Sequence, residues 1–189
     1  METSDRHLSR PLVLLAAGLF AAGTGTGWLT YLHRSAIRAR PVAGTAAWGQ
    51  QAAVAVLAAV ILAVAYWRSR RTGQRIWLLR PLGRPAAGRL VLLARGVRRG
   101  GQPATYGRVL LALPLTALLG YGFWRAGFQV TNGLDPNATV NAWGGPTYAG
   151  AMACHYLDLA VIMTALAWLL DRVLPAPAAS APVPARAAR

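Results

Sequence analysis

Apolar residues dominate four stretches of the chain, about 11–32, 48–67, 106–124 and 147–170, and polar residues collect between them. A helix rising about 1.5 Å per residue needs roughly 20 residues to cross a hydrocarbon core of about 30 Å, so each stretch predicts a membrane-spanning helix. The last three stretches carry aromatic residues at both ends: Trp48 and Trp67, Tyr106 and Trp124, Tyr148 and Trp168. Amphipathic rings favour the two headgroup belts, which supports the same boundaries. The expected fold is an all-α integral membrane protein, a four-transmembrane-helix bundle over residues 11–174. A short terminus, 1–10, precedes it and an Ala/Pro tail, 175–189, follows; that tail is too poor in large apolar residues to build a core and is expected to be disordered.

The connections set the expected orientation. Short loops rich in Arg stay cytoplasmic, and 16 of the arginines fall on the side of the termini and the 68–105 loop, against 4 on the other side. Both ends are therefore expected inside, although Arg34, Arg38 and Arg40 sit on the outer side as a local exception. The first stretch also fits a secretory leader, with its basic start and the small residues Ala21, Ala22 and Gly23. Apolar character resumes at Trp28 to Leu32, which favours an uncleaved anchor.

The loop from Ile76 to Val97 is apolar in patches but holds Arg80, Arg84, Arg89 and Arg95. Each would cost about 2.5 to 3.5 kcal/mol at mid-membrane, so a fifth span is rejected. Pro81 and Pro85 break any long helix, and one or two short segments on the cytoplasmic surface are expected, with Trp77, Leu78, Leu79 and Leu90 to Leu93 dipping inward.

Composition sharpens this picture. Hydrophobic residues make up 55% and charged residues 13%, against roughly 25% charged in soluble proteins. All 20 basic residues are Arg, and with five acids the net charge is +15. Because these arginines flank apolar runs, anionic lipid headgroups are the expected counter-charge and nucleic acid is not. Arg68, Arg70, Arg71, Arg75, Arg98 and Arg99 are the candidate headgroup contacts. Ala and Gly richness and the absence of Lys suggest the plasma membrane of a high-GC bacterium. A single cysteine, Cys154, excludes an internal disulfide and CxxC redox chemistry.

Helices in lipid associate through small residues and polar contacts. Gly23 and Gly27 supply such a surface on the first span, the second offers Ala55, Ala59 and Ala63 at the same spacing, and a homodimer is an alternative use. Pro114 leaves the Leu110 carbonyl without its donor, which predicts a kink that Thr116 could help to satisfy.

One pair suggests chemistry. Asp158 lies ten residues from both Tyr148 and Trp168, near mid-membrane, and His155 is one turn away on the same face. With no Arg inside another span, His155 is the expected hydrogen-bond partner, and desolvation favours a neutral or proton-sharing pair. Thr24, Thr26, Thr30, Thr116 and Tyr121 are candidate supporting hydroxyls. The pair is either a proton or polar-ligand site or an interhelical tie. No metal or cofactor is expected; haem would need His33 opposite His155.

The segment from Gly127 to Pro146 reads as an outer loop, with Asn132, Asp135, Asn141 and Trp143 as candidate recognition residues and Asn137 and Thr139 adding hydrogen-bonding capacity. No GxSxG, HExxH or P-loop is present, so an enzyme is not expected. Two functional classes remain. The first is an accessory or scaffold subunit that associates with another membrane protein or with itself. The second is a small proton-coupled transporter or channel using Asp158 and His155.

Overall fold

The computed structural model describes residues 8–72, 82–100 and 102–175. They form six helices: α1 (Arg10–Leu32), α2 (Trp48–Thr72), α3 (Arg84–Arg98), α4 (Pro103–Asn132), α5 (Pro136–Thr139) and α6 (Tyr148–Val173). The only β-type pairing among the described residues is an isolated bridge between Leu8 and Gly83. Four helices, α1, α2, α4 and α6, are long and apolar enough to cross a membrane. Prolines in the first turns of α1, α3 and α4 sit where a missing N–H costs nothing.

Two helix ends and one hydroxyl bond differ from the sequence reading. α4 runs for 30 residues and carries its last two turns past Trp124, so Arg125 and Gln129 are helical and the loop after it begins only at Gly133. At about 1.5 Å per residue this helix is roughly 45 Å long, well beyond a bilayer core. Pro114 lies inside it without ending it, and Thr116 Oγ1 donates to the Ala112 carbonyl at 2.8 Å rather than to Leu110. A hydroxyl two residues after the proline reaches its own i−4 carbonyl, as the helix geometry dictates. α6 starts at Tyr148 with Thr147 as its cap, accepting from Gly150 N at 3.2 Å, and runs on to Val173, past the expected end at 170.

α4 is the centre of the packing. α1 lies along it on one side, α6 packs on another, and α3 crosses its Arg-rich end. The α1–α4 contact is made backbone to backbone. A Cβ at Gly23 would overlap the Trp124 carbonyl, one at Gly27 the Phe128 carbonyl, and one at Gly127 the Phe20 carbonyl. Thr131 Oγ1 donates to the Thr24 carbonyl at 2.9 Å across the same seam. Small residues let helices approach closely enough for dispersion to act along their length. Gly23 and Gly27 thus meet α4, whereas Ala55, Ala59 and Ala63 on α2 are exposed.

At the Arg-rich end the 76–97 loop becomes one helix over its described part. Leu93 is buried with Ala112, Leu119, Leu170 and Leu174, and Leu90 packs on the same cluster, while Val91 and Leu92 face outward. Arg89, 8% exposed, pairs with the Asp171 carboxylate and also donates to the Asp171 carbonyl at 3.3 Å. Ser9 N donates to the Leu82 carbonyl at 2.7 Å, which ties the start of α1 to the start of α3. Arg75, Trp77, Leu78, Leu79, Arg80, Pro81 and the tail beyond Pro175 lie outside the described residues.

Candidate functional site

Asp158 sits ten residues into α6, about 15 Å along the helix. Its carboxylate accepts from Gln51 Nε2 of α2 at 3.0 Å. Gln51 is 4% exposed, the one buried residue of α2. His155, expected as the partner, does not hydrogen-bond Asp158. The short Asp side chain turns to an amide donor on the neighbouring helix, which a long Gln side chain can deliver where an imidazole one turn away on the same helix does not.

His155 is half-buried and lies within the electrostatic reach of both Asp158 and Arg125. Arg125 is on α4, so a cation does stand on another apolar helix, contrary to the expectation drawn from the shorter third span. Its guanidinium also meets the neighbouring turn. With the Gln129 amide oxygen turned toward it, Gln129 accepts from Arg125 Nε at 3.2 Å and from Nη2 at 2.7 Å. Gln129 is itself buried. Two tyrosine hydroxyls of α6 fasten it to α4: Tyr156 donates to the Ala126 carbonyl at 2.9 Å and Tyr148 to the Val130 carbonyl at 3.1 Å.

The other hydroxyls are elsewhere. Thr24, Thr26 and Thr30 donate to carbonyls of their own helix, Phe20, Ala22 and Thr26 respectively, at 2.9 to 3.0 Å. Thr116 does likewise, and Tyr121 is exposed and stacked on Trp124. None of them meets Asp158, so no hydroxyl chain leads from α1 to the carboxylate. Cys154 is buried, its Sγ against the space a Cβ at Gly144 would fill, a packing residue. Gly144 and Gly145 have φ of 92° and 85°, which glycine alone adopts without strain, and they form the turn that brings the chain into α6. His33 bonds the Leu29 carbonyl at the end of α1. Among the described residues no three His, Cys, Asp or Glu side chains gather in a way that could hold a metal ion.

Of the candidate recognition residues between α4 and α6, Asp135 and Asn141 hydrogen-bond within the fold. Asp135 is buried and caps α5, accepting from Asn137 N at 2.9 Å. Asn137 Oδ1 accepts from Ala39 N at 2.8 Å while its Nδ2 donates to the Ile37 carbonyl at 3.0 Å. Asn141 Oδ1 accepts from Val42 N at 2.8 Å. These two amides zip the α1–α2 connection to the α4–α6 connection. Asn132 ends α4, and Trp143 is 53% exposed.

Of the headgroup candidates, Arg68, Arg70 and Arg71 occupy the last turns of α2. Arg71 lies 3.8 Å above the Trp67 ring, and Arg70 donates to the Tyr66 hydroxyl at 3.2 Å. Arg98 and Arg99 are exposed at the end of α3.

The arrangement therefore joins three helices: Gln51 from α2, His155 and Asp158 from α6, Arg125 and Gln129 from α4. Sequence reasoning missed Gln51, Arg125 and Gln129. The signals were the Gln50–Gln51 pair in the first turn of an apolar stretch and the i, i+4 spacing of Arg125 and Gln129. Chemically, the site provides a carboxylate held by a neutral amide, a nearby imidazole, and one buried acceptor, Gln51 Oε1, with no donor among the described residues. Comparison with protein-family models, with curated proteins and with solved structures returns no match.

Proposed function

We propose that the chain is an accessory or assembly subunit of a bacterial plasma membrane, with both termini and the Arg-rich loop in the cytoplasm, and that α2 is the helix it presents to a partner membrane protein. The observation that carries this reading is the way α2 is attached. One side-chain hydrogen bond, Gln51 to Asp158, fixes its first turn on α6, while Val56, Leu57, Val60, Ile61 and Leu62 stay more than half exposed. A polar contact of this kind sets the position and register of a helix whose remaining surface is left for other contacts. The orientation rests on the arginine distribution.

The test is purification of the intact chain from native membrane in mild detergent. A stoichiometric membrane-protein partner is expected, lost on Ala59→Trp while the chain itself stays folded. Recovery of the chain alone, together with solute-dependent proton flux that vanishes in Asp158→Asn, would replace this reading with the transporter one. For orientation, Ser35→Cys and Gly88→Cys in a Cys154→Ala background should react with an impermeant thiol reagent from opposite sides; labelling from one side overturns it.

A further inference from the structure

Only half of the Gln51 amide is accounted for. Its Nε2 donates to Asp158 Oδ2 at 3.0 Å, while its Oε1 is sealed from solvent and accepts from no donor among the described residues. The residue as a whole is 4% exposed. A buried acceptor left without a hydrogen bond is costly. Because this one is sealed, neither water nor an incoming ligand can satisfy it, and the hydrogen has to come from a group already packed against the amide.

The group in contact with the amide is the Asp158 carboxyl. A carboxylate offers only acceptors, whereas a carboxylic acid offers one O–H donor and keeps an acceptor on its other oxygen. A primary amide is the complement of that acid, with a donor and an acceptor side by side. Facing each other, the two groups close a pair of opposed hydrogen bonds, and the orphaned oxygen is satisfied. The surrounding charges agree with this. His155 and Cys154 are the ionisable neighbours of Asp158 on its own helix, and Arg125 of α4 lies within electrostatic reach of His155 while its hydrogen bonds go to Gln129. None of them forms an ion pair with Asp158 among the described residues, so an ionised Asp158 would stand in an apolar bundle with no counter-ion in contact.

We propose that Asp158 binds a proton and is a neutral carboxylic acid, its Oδ1–H donating to Gln51 Oε1 while its Oδ2 accepts from Gln51 Nε2. The tether between α2 and α6 is then an uncharged pair of bonds, which sets the rotation of α2 as well as its height. The proton is held whether or not a partner protein covers α2, so recovery of the chain alone from native membrane would leave it in place.

Infrared spectroscopy of the full-length protein at neutral pH, in a maltoside detergent that has no carbonyl of its own, tests this. The difference between wild type and Asp158→Asn should contain the C=O stretch of one protonated carboxylic acid. Gln51→Leu should move that band to higher frequency, because the acid carbonyl loses its donor, and His155→Gln should leave it unmoved. Absence of the band from the wild type, or its displacement by His155→Gln and not by Gln51→Leu, overturns the proposal. Asp158→Asn presents the same donor and acceptor as the neutral acid, so spin labels at Ala53 and Ala149 should keep their wild-type separation in it and move apart in Asp158→Leu. An Asn variant whose labels separate as far as those of the Leu variant overturns the two-bond geometry. Detection of the acid itself needs only the wild type and the Asn variant, and stands even where Gln51→Leu disturbs folding.

Discussion

The α1–α4 seam and the α2–α6 contact solve the same problem in opposite ways. Along the seam, Gly23, Gly27 and Gly127 bring two backbones together, and a hydroxyl bond from Thr131 to Thr24 adds to a contact already made by shape. At α2 there is little shape complementarity; one buried amide reaches one carboxylate, and the apolar remainder of the helix is uncovered. In lipid, where apolar surface gains nothing by leaving the solvent, the first arrangement is a fixed unit and the second is a tether. The difference separates what holds this fold together from a helix whose apolar face the fold leaves uncovered.

The strongest way to break that contrast is to place a side chain in the seam. Gly23→Leu or Gly127→Leu would set a side chain against backbone that cannot swing aside, and should destabilise the α1–α4 pair by about 3 kcal/mol or more, at the upper end of overpacking costs. Unfolding by a denaturing detergent in mild micelles would measure it. Gly25→Ala, with nothing within 4 Å of its Cβ, serves as control and should change stability by less than about 0.5 kcal/mol.

Breaking the tether should cost less and move one helix only. Gln51→Leu leaves Asp158 without its amide donor, a loss of about 1–2 kcal/mol. Spin labels at Ala53 and Ala149 should then report a broader and longer distance, while labels across the α1–α4 seam report no change. An unchanged α2–α6 distance would mean that packing, not the amide, positions α2. The double variant Gln51→Leu/Asp158→Leu should recover most of the lost stability, since no carboxylate remains to be satisfied.

A smaller effect is expected at the asparagine zip. Asn137→Ala removes the amide that bridges Ala39 N and the Ile37 carbonyl, and these groups can turn to water instead. About 0.5–1 kcal/mol and faster hydrogen exchange at Ala39 are the expected results, with Val42, held by Asn141, as the internal control. Protection unaltered at Ala39 would assign the closeness of the two connections at that point to backbone geometry alone.

The four spans were legible in the sequence because length and hydropathy are summed over twenty residues, and a single polar position does not change the sum. The same averaging hid the ends. Arg125 stopped the apolar run of the third span, yet α4 continues for two turns because helical hydrogen bonds need no lipid. The glycine spacing on α1 was visible, but not that its match was Gly127; partner choice depends on the path of the chain, and neighbouring spans in sequence need not pack. Asp158 stood out by its type. Its partner did not, because a Gln in a first turn resembles any interfacial residue until the depth of two helices is known together. The α3 helix showed its apolar positions, but that Arg89 would be buried follows only from Asp171 lying 82 residues away.

The smallest effect is also the most discriminating. Ala59→Leu on α2 adds three carbons where the side chain is exposed, so the isolated chain should change in stability by less than about 0.5 kcal/mol. A similar addition at Gly23 disables the seam, and the ratio of the two measures how differently the helices are held. If α2 faces only lipid, the variant should be silent in native membrane as well, because a hydrocarbon environment adapts to an extra isopropyl group. If a partner helix lies along Ala55, Ala59 and Ala63, the same change should weaken co-purification by about tenfold, the loss expected for a few tight contacts. A substitution without consequence for the fold and with consequence for assembly would therefore assign the uncovered face of α2 to another protein.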